Sequence, residues 1–318
     1  MRAMLVLAIG GLTSVLVVEA CTGFDAVPPV DDGGAADAPA DAIVPENPEP
    51  PDSGSDGAPP PPCNTSAPFA GPVPIAGLAT LDSVARFSSD EKTTYYAITN
   101  DGGSDELYRA TLDPITGAFG TASPLTEVND DAGETTPWVT TDGLSLFYVH
   151  GGGTMRDIWY ATRADGGDFA SPQIVGGVND PTSQDDYVSV ATNLDLWFSS
   201  RRAGGQIAIV RALYTGAGYG IAQAVDELNS ATDGNYYPLL TSDMLRIYFA
   251  RLGPSTADFD IWTATRTVTT DPFSKVVPVT ELNTTDADRP VWISSDSCRL
   301  YVSRGMNHMM LVASKPAW

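Results

Sequence analysis

The chain has 318 residues, with 17 Lys or Arg against 40 Asp or Glu, a net charge of -23. That length allows one large or two ordinary domains, and so acidic a surface excludes nucleic acid and anionic lipid as partners through bulk electrostatics. With 3 cysteines, 2 histidines and no C-x-x-C, a zinc site of the usual His/Cys type is not expected either.

Residues 1–20 read as a secretory signal: a basic start at Arg2, an apolar run from Met4 to Val18, and a small residue ahead of a cysteine. The run is short and Gly-interrupted for a membrane span. Its ending, Val18-Glu19-Ala20-Cys21, resembles a bacterial lipobox, although Glu19 stands where a small or hydroxyl residue is usual. The resemblance implies lipidation at Cys21. Thr22 follows, where an Asp would mark retention in the inner membrane. An outer-membrane lipoprotein, periplasmic or surface-exposed, is therefore expected, touching the membrane only through its anchor.

Residues 21–67 form the next segment. Between Thr22 and Ala67 there are eleven prolines, nine acids and no Lys or Arg. Such a stretch cannot bury enough apolar surface to offset the ordering of its backbone. It reads as a disordered, self-repelling tether, partly polyproline.

Residues 68–318 repeat one unit. It opens with a Ser/Thr turn before Asp or Asn: SSDEK (Asp90), TTDGL (Asp142), ATNLD (Asn193), TSDML (Asp243) and SSDSC (Asp296). The turns lie 50 to 53 residues apart. An aromatic apolar run follows each one: TYYAI, LFYV, LWFSS, IYFA and LYVS. Then comes a phrase whose best-preserved copies are RDIWYATR (Arg156–Arg163) and FDIWTATR (Phe259–Arg266). A Pro- or Gly-flanked stretch ending near Asn closes the unit, as in SPLTEVND and VPVTELNT. Four short runs rich in Val, Ile, Tyr, Phe and Thr, split by turn residues, predict four strands per unit. No stretch shows a 3.6-residue apolar period. The prediction is an all-β, five-bladed β-propeller with four-stranded antiparallel blades.

Pro137, Pro238 and Pro290 ahead of the turns, the LYF-like runs and the D-I-W-x-A-x-R phrase resemble WD40-like repeats of the TolB type. The resemblance implies a propeller, with an envelope protein or peptide bound at one channel mouth. Copy three departs most, with Ala208 in the phrase and Asn193 for Asp in the turn.

The fifth unit stops after three strands, at Trp318. The stretch FAGPVPIAGLAT (Phe69–Thr80) matches FSKVVPVTELNT (Phe273–Thr284) and supplies the missing one. The N-terminal strand should therefore complete blade five and remove the open edges. Cys298 lies in the first turn of that blade and Cys63 just before the N-terminal strand. A Cys63–Cys298 disulfide stapling the ring is expected.

Loops leading into the inner strands carry acids in every unit, and the loops after the second strands carry His150, Arg201 and the arginines below. Candidate ligand residues at that mouth are Asp82, Glu134, Asp186, Asp233 and Asp288, with Arg202, Arg251 and Arg304. Two readings stand. The acids bind a cation, calcium being the fit, while arginines orient a polar ligand. Alternatively each Arg pairs with an acid of its own or the next blade and Asp caps the turns. Recurrence at equivalent positions favours the second. No G-x-S-x-G or sialidase Asp-box occurs, and Glu134 with Asp82 or Asp186 is the one pair suited to hydrolysis. Trp159, Trp197 and Trp262 read as core; Trp138 and Trp292, on inner strands, are the better candidates for stacking a sugar.

The expected protein is a monomeric binding or scaffolding propeller for an envelope protein, peptide or glycan, without catalysis and with no cofactor beyond calcium. The alternative is a carbohydrate-active propeller, glycoside hydrolase or lectin, using the same mouth.

Overall fold

The computed structural model describes residues 63–318 except Thr80, Asp82, Thr154, Ala203 and residues 254–257. The expected signal, most of the expected tether, the expected lipidation at Cys21 and the candidate Asp82 lie outside the described residues.

The first strand, β1 (Val73–Pro74), waits for the end of the chain. Blade 1 then follows as β2 (Arg86–Phe87), β3 (Thr93–Thr99), β4 (Asp105–Thr111) and β5 (Ser123–Pro124). Blade 2 holds β6 (Glu134–Val139), β7 (Ser145–His150), β8 (Asp157–Thr162) and β9 (Ala170–Ile174). Blade 3 holds β10 (Asp185–Val190), β11 (Leu196–Ser200), β12 (Ala208–Ala212) and β13 (Gln223–Ala224). Blade 4 holds β14 (Gly234–Leu240), β15 (Arg246–Leu252), β16 (Phe259–Thr265) and β17 (Ser274–Pro278). Blade 5 holds β18 (Asp288–Ile293), β19 (Arg299–Arg304) and β20 (Met309–Ser314), and β1 pairs with β20 as its fourth strand. All pairings are antiparallel, so the chain is an all-β five-bladed propeller closed by its N-terminal strand.

The recurring phrase has a physical reason at each letter. Leu107, Ile158, Ile209, Ile261 and Met310 occupy one slot of the third strand and are fully buried. Ala161, Ala212, Ala264 and Ala313, three residues on, are also fully buried. Both faces of a third strand are covered because each blade packs between two others. Five apolar clusters result, one per blade interface, including Leu107 with Tyr148 and Ile261 with Leu300. The closing Arg acts as a staple. Arg163 lies 4.4 Å over the Phe169 ring and donates to the Gly143 carbonyl; Arg266 lies 4.4 Å over Phe273 and donates to the Met244 carbonyl.

The turns are capped by their acids. Ser88, Thr140, Thr241 and Ser294 donate their hydroxyls to Asp90, Asp142, Asp243 and Asp296. These bonds hold Asp90 and Asp142 below the usual carboxylate range. In blade 3, where Asn193 stands, Asp195 takes over and pairs with Arg211 at 2.5 Å. The second Ser or Thr of a turn reaches the next blade: Ser89 donates to the Thr141 carbonyl at 2.9 Å and Ser242 to the Ser295 carbonyl at 2.7 Å.

The Asn that ends each unit clamps the third strand of its own blade. Asn129 exchanges two hydrogen bonds with the backbone of Leu107, Asn179 with Ile158, Asn229 with Ile209 and Asn283 with Ile261. The outer strands are tied across blades. Glu227 accepts the Phe273 N–H at 3.0 Å and Glu281 accepts the Phe69 N–H at 3.3 Å.

The ring is fastened at the join. Cys63 and Cys298 form a disulfide, Cys63 bridges Ala317, and Lys315 donates to the Thr65 and Ala67 carbonyls. Lys315 lies 4.4 Å over Phe69, as Arg266 does over Phe273, so β1 repeats the contacts of an ordinary fourth strand.

Candidate functional site

The inner strands β6, β10 and β18 begin with Glu134, Asp185 and Asp288, and β14 has Asn235 as its second residue; all four are fully buried. In three blades an arginine answers. Arg202 donates to Asp185 at 2.6 Å and to the Val178 carbonyl at 2.8 Å. Arg251 donates to Asn235 Oδ1 at 2.9 Å and to the Leu228 carbonyl at 2.8 Å. Arg304 donates to Asp288 at 2.5 Å and to the Leu282 carbonyl at 2.8 Å. Each guanidinium thus ties the start of an inner strand to the loop before it. The carboxylates complete the tie by accepting N–H groups of that loop, from Asp180 to Asp185 and from Thr284 to Asp288, both at 2.7 Å.

Arg202, Arg251, Arg304 and Asp288 are therefore engaged by their own blades. In blades 3 and 4 the engaged residues are Asp185 and Asn235 rather than Asp186 and Asp233. Asp233 is half-buried and accepts the Thr232 hydroxyl at 3.1 Å.

Asp186 belongs to a different group, on the ring axis. It pairs with Arg156 of blade 2 at 2.6 Å, and burial raises its pKa against the pull of that guanidinium. Arg86 of blade 1 is fully buried and has Asp186 and Tyr237 as electrostatic neighbours; burial lowers its pKa to about 10. Its Nε and Nη2 have no hydrogen-bond partner, and its guanidinium lies 5.0 Å over Trp138. Blades 1, 2, 3 and 4 thus meet at one point on the axis.

Bulges aim the residues there. The inner-strand register shifts between Thr135 and Trp138, Asp186 and Ser189, and Tyr236 and Leu239. Within them Thr136, Tyr187 and Tyr237 take φ values of 47°, 54° and 53°, which non-glycine residues seldom adopt. Tyr187 and Tyr237 stack at 4.0 Å between ring centroids, and each holds its hydroxyl proton above the usual range, Tyr187 through Tyr237 and Tyr237 through burial. Tyr236 joins Tyr187 at 6.0 Å and Phe259 at 5.0 Å, and Arg289 lies 4.7 Å over Phe259. Tyr187, Tyr236 and Phe259 are half-buried, so the inlet mouth presents an aromatic wall between Arg156, Arg201 and Arg289.

Blade 2 breaks the pattern at the same mouth. The register partner of Glu134 is His150, where blades 4 and 5 place Arg251 and Arg304. His150 Nε2 lies 2.9 Å from Asp130 Oδ2 and 3.8 Å from Glu134 Oε1. Glu134 Oε2 accepts the Asp130 N–H at 3.2 Å, while Oε1 is buried without a partner. Burial raises the Glu134 pKa to about 8, and the Asp130 charge adds to it. Asp130 itself is held low: burial raises it, but the His150 ring and the Ala132 N–H outweigh that.

The opposite end of the channel holds a cavity of about 80 Å³ lined by Trp138, Trp292, Phe87 and the Ser/Thr residues of the turns. Trp292 is buried against Phe87 at 5.7 Å and Tyr301 at 5.3 Å. Trp197 is buried in the interface of blades 3 and 4, and Trp262 lies under Arg251.

Arg86, Arg156, Tyr237 and Phe259 were not singled out by the sequence. For Arg86 a signal existed: it is a lone charge in the inner-strand slot that holds Trp138, Leu239 and Trp292 in other units.

No family model matches the chain, and no curated protein sequence matches it. Solved structures share its fold. TolB from Acinetobacter baumannii aligns with a TM-score of 0.45 at 15% identity, covering 73% of this chain and 53% of that one. The chain thus spans about half the length of that protein. A putative TolB from Agrobacterium tumefaciens gives 0.46 at 14% identity, covering 73% of each chain. A glycosyl hydrolase from Bacteroides ovatus gives 0.50 at 11% identity, covering 80% of this chain and 93% of that one. The likeness is one of fold: a β-propeller distantly similar to TolB and to other propellers.

Proposed function

We propose that this propeller is a binding module of the bacterial cell envelope, held by a lipid on Cys21, that takes a protein or peptide at its inlet mouth without catalysis. The aromatic wall of Tyr187, Tyr236 and Phe259 carries this reading. Tyr and Arg dominate the binding energy of protein interfaces because they offer large, rigid contact area with a polar tip. Here half-buried tyrosines sit beside Arg156, Arg201 and Arg289 on rigid inner strands. The axis behind them is filled by Arg86, Asp186 and Tyr237, all buried, which leaves a surface for docking rather than a deep cleft. The disulfide suits an oxidising compartment, in keeping with the envelope. The net charge of -23 favours a partner segment that is basic or neutral.

The test is peptide display selection on the full chain, followed by affinity measurements on Tyr187→Ala and Tyr236→Ala. Recovered peptides should lose about 10-fold or more in affinity for both variants, each checked to be folded at the assay temperature. Peptides that bind both variants unchanged would place the interface elsewhere.

A second reading, the carbohydrate-active one, is favoured by one observation: Glu134 keeps its proton near neutral pH, as a general acid must. Its full burial weighs against substrate contact. Glycan-array binding or turnover abolished by Glu134→Gln, with no peptide selected, would replace the first reading by this one.

A further inference from the structure

We propose that Asp130, Glu134 and His150 form a binding site for one divalent ion of the zinc type, on the inlet loop of blade 2. The observation behind it is a broken repeat. In blades 3, 4 and 5 a group at the entry of the inner strand, its first or second residue, meets a guanidinium: Asp185 with Arg202, Asn235 with Arg251, Asp288 with Arg304. The fold therefore calls for a positive charge at this slot. Blade 2 supplies an imidazole instead, and the buried Glu134 Oε1 is left without a hydrogen-bond partner. A buried carboxylate oxygen with no donor costs free energy unless something cationic reaches it.

The geometry leaves room for that cation. One donor atom from each of Asp130, Glu134 and His150 lies within 4.8 Å of the other two. His150 Nε2 is 2.9 Å from Asp130 Oδ2 and 3.8 Å from Glu134 Oε1. Ligands of a tetrahedral ion with bonds of about 2.0–2.2 Å stand roughly 3.3–3.6 Å apart, so small side-chain rotations suffice. The donors are also braced. Glu134 Oε2 holds the Asp130 N–H, the His150 ring packs 4.4 Å from Trp159, and the Gly151 N–H bonds the Gly133 carbonyl beside both strand ends. Glu134 is sealed in, whereas the Asp130 side chain is 57% exposed, so the fourth position opens toward solvent. Three protein ligands leave a tetrahedral zinc one position for a water.

The donor set selects the class of ion. One imidazole nitrogen with two carboxylate oxygens suits zinc, cobalt or nickel. Calcium wants six to eight oxygens, and a nitrogen among so few donors does not suit it. The site does not depend on the docking reading above.

The experiment uses the full chain, stripped with a chelator and titrated separately with zinc, cobalt, nickel and calcium chlorides. Calorimetry gives stoichiometry, and the melting temperature and the visible spectrum of the cobalt form give independent readouts. One equivalent of zinc should bind and raise the melting temperature by a few degrees. Calcium should compete poorly. His150→Arg writes into blade 2 the residue that blades 4 and 5 already use. It should melt no lower than the metal-free parent and bind zinc about 100-fold more weakly or worse. Glu134→Gln, which keeps the shape of the side chain, should weaken zinc similarly. The proposal is overturned if the folded parent binds no ion saturably, if calcium binds more tightly than zinc, or if both folded variants keep one tight zinc.

Discussion

Cys63 and Cys298, 235 residues apart in sequence, are joined by a disulfide that fastens the start of the ring to the first turn of blade 5. The strand it guards, β1, is two residues long and pairs with β20 through Val73 and Pro74. Backbone bonds beside it, from Ala70 to the Ser314 carbonyl at 2.8 Å and from Ile75 to the Met310 carbonyl at 3.1 Å, extend the join. A cross-link closing so long a loop removes much of the freedom of the unfolded chain, worth about 3–5 kcal/mol. Cys298→Ser should therefore lower the unfolding free energy by about that amount, measured by denaturant titration. Reducing agent should have the same effect on the parent and none on the variant.

Arg304 and Asp288 test whether the arginine and acid pairs serve the fold or a ligand. Asp288 is fully buried, and Arg304 is its partner at 2.5 Å. Removing the cation strands a buried charge, which costs about 3–5 kcal/mol. Arg304→Ala should be destabilised on that scale. Asp288→Asn should cost much less, because blade 4 already runs with Asn235 facing Arg251. If the pair existed for a ligand, both variants would keep the stability of the parent.

The propeller was legible because its signals are local. Capped turns such as Thr140–Asp142 recur at one spacing, and the stretch from Phe69 copies the one from Phe273 closely enough to mark the closing strand. The site was legible only to within a residue or two. Successive residues of a strand face opposite ways, so choosing Asp186 rather than Asp185 exchanges an axis residue for a structural one. The bulge after Asp186 adds to this, since no apolar pattern announces it. The grouping of Asp130, Glu134 and His150 joins a loop to two strands, which spacing alone does not reveal.

The asparagine clamps recur with the repeat, at Asn129, Asn179, Asn229 and Asn283, and they should be costly to lose. Asn229 accepts the Ile209 N–H at 2.7 Å and donates to the Ile209 carbonyl at 2.9 Å. Asn229→Ala removes both bonds and leaves two backbone groups of a buried strand without partners. A loss of about 2–4 kcal/mol is expected from two such groups. Asn229→Asp keeps the acceptor and loses the donor, so it should fall between the parent and the alanine variant. Equilibrium unfolding of the three proteins gives the order directly.

Glu134 sets a pH dependence opposite to that of an ordinary carboxylate. Burial, with the Asp130 and Glu106 charges adding to it, raises its pKa from 4.5 to about 8 in the folded chain. Between those two values the folded chain binds more protons than the unfolded one. Its stability must then fall as pH rises through that window and level off above it. The contribution is fully present below the unfolded value and gone above the folded one. Glu134→Gln cannot titrate, so the chelator-treated variant should lose this slope and match or exceed the parent at the alkaline end. Asp90 and Asp142 act in the opposite sense and at lower pH. Their depressed pKa values lend stability that is lost only on strong acidification. Denaturant titrations of parent and Glu134→Gln across the window separate the two effects, since the variant removes the first and leaves the second. An unchanged slope in the variant would mean that Glu134 is already ionised in the folded chain.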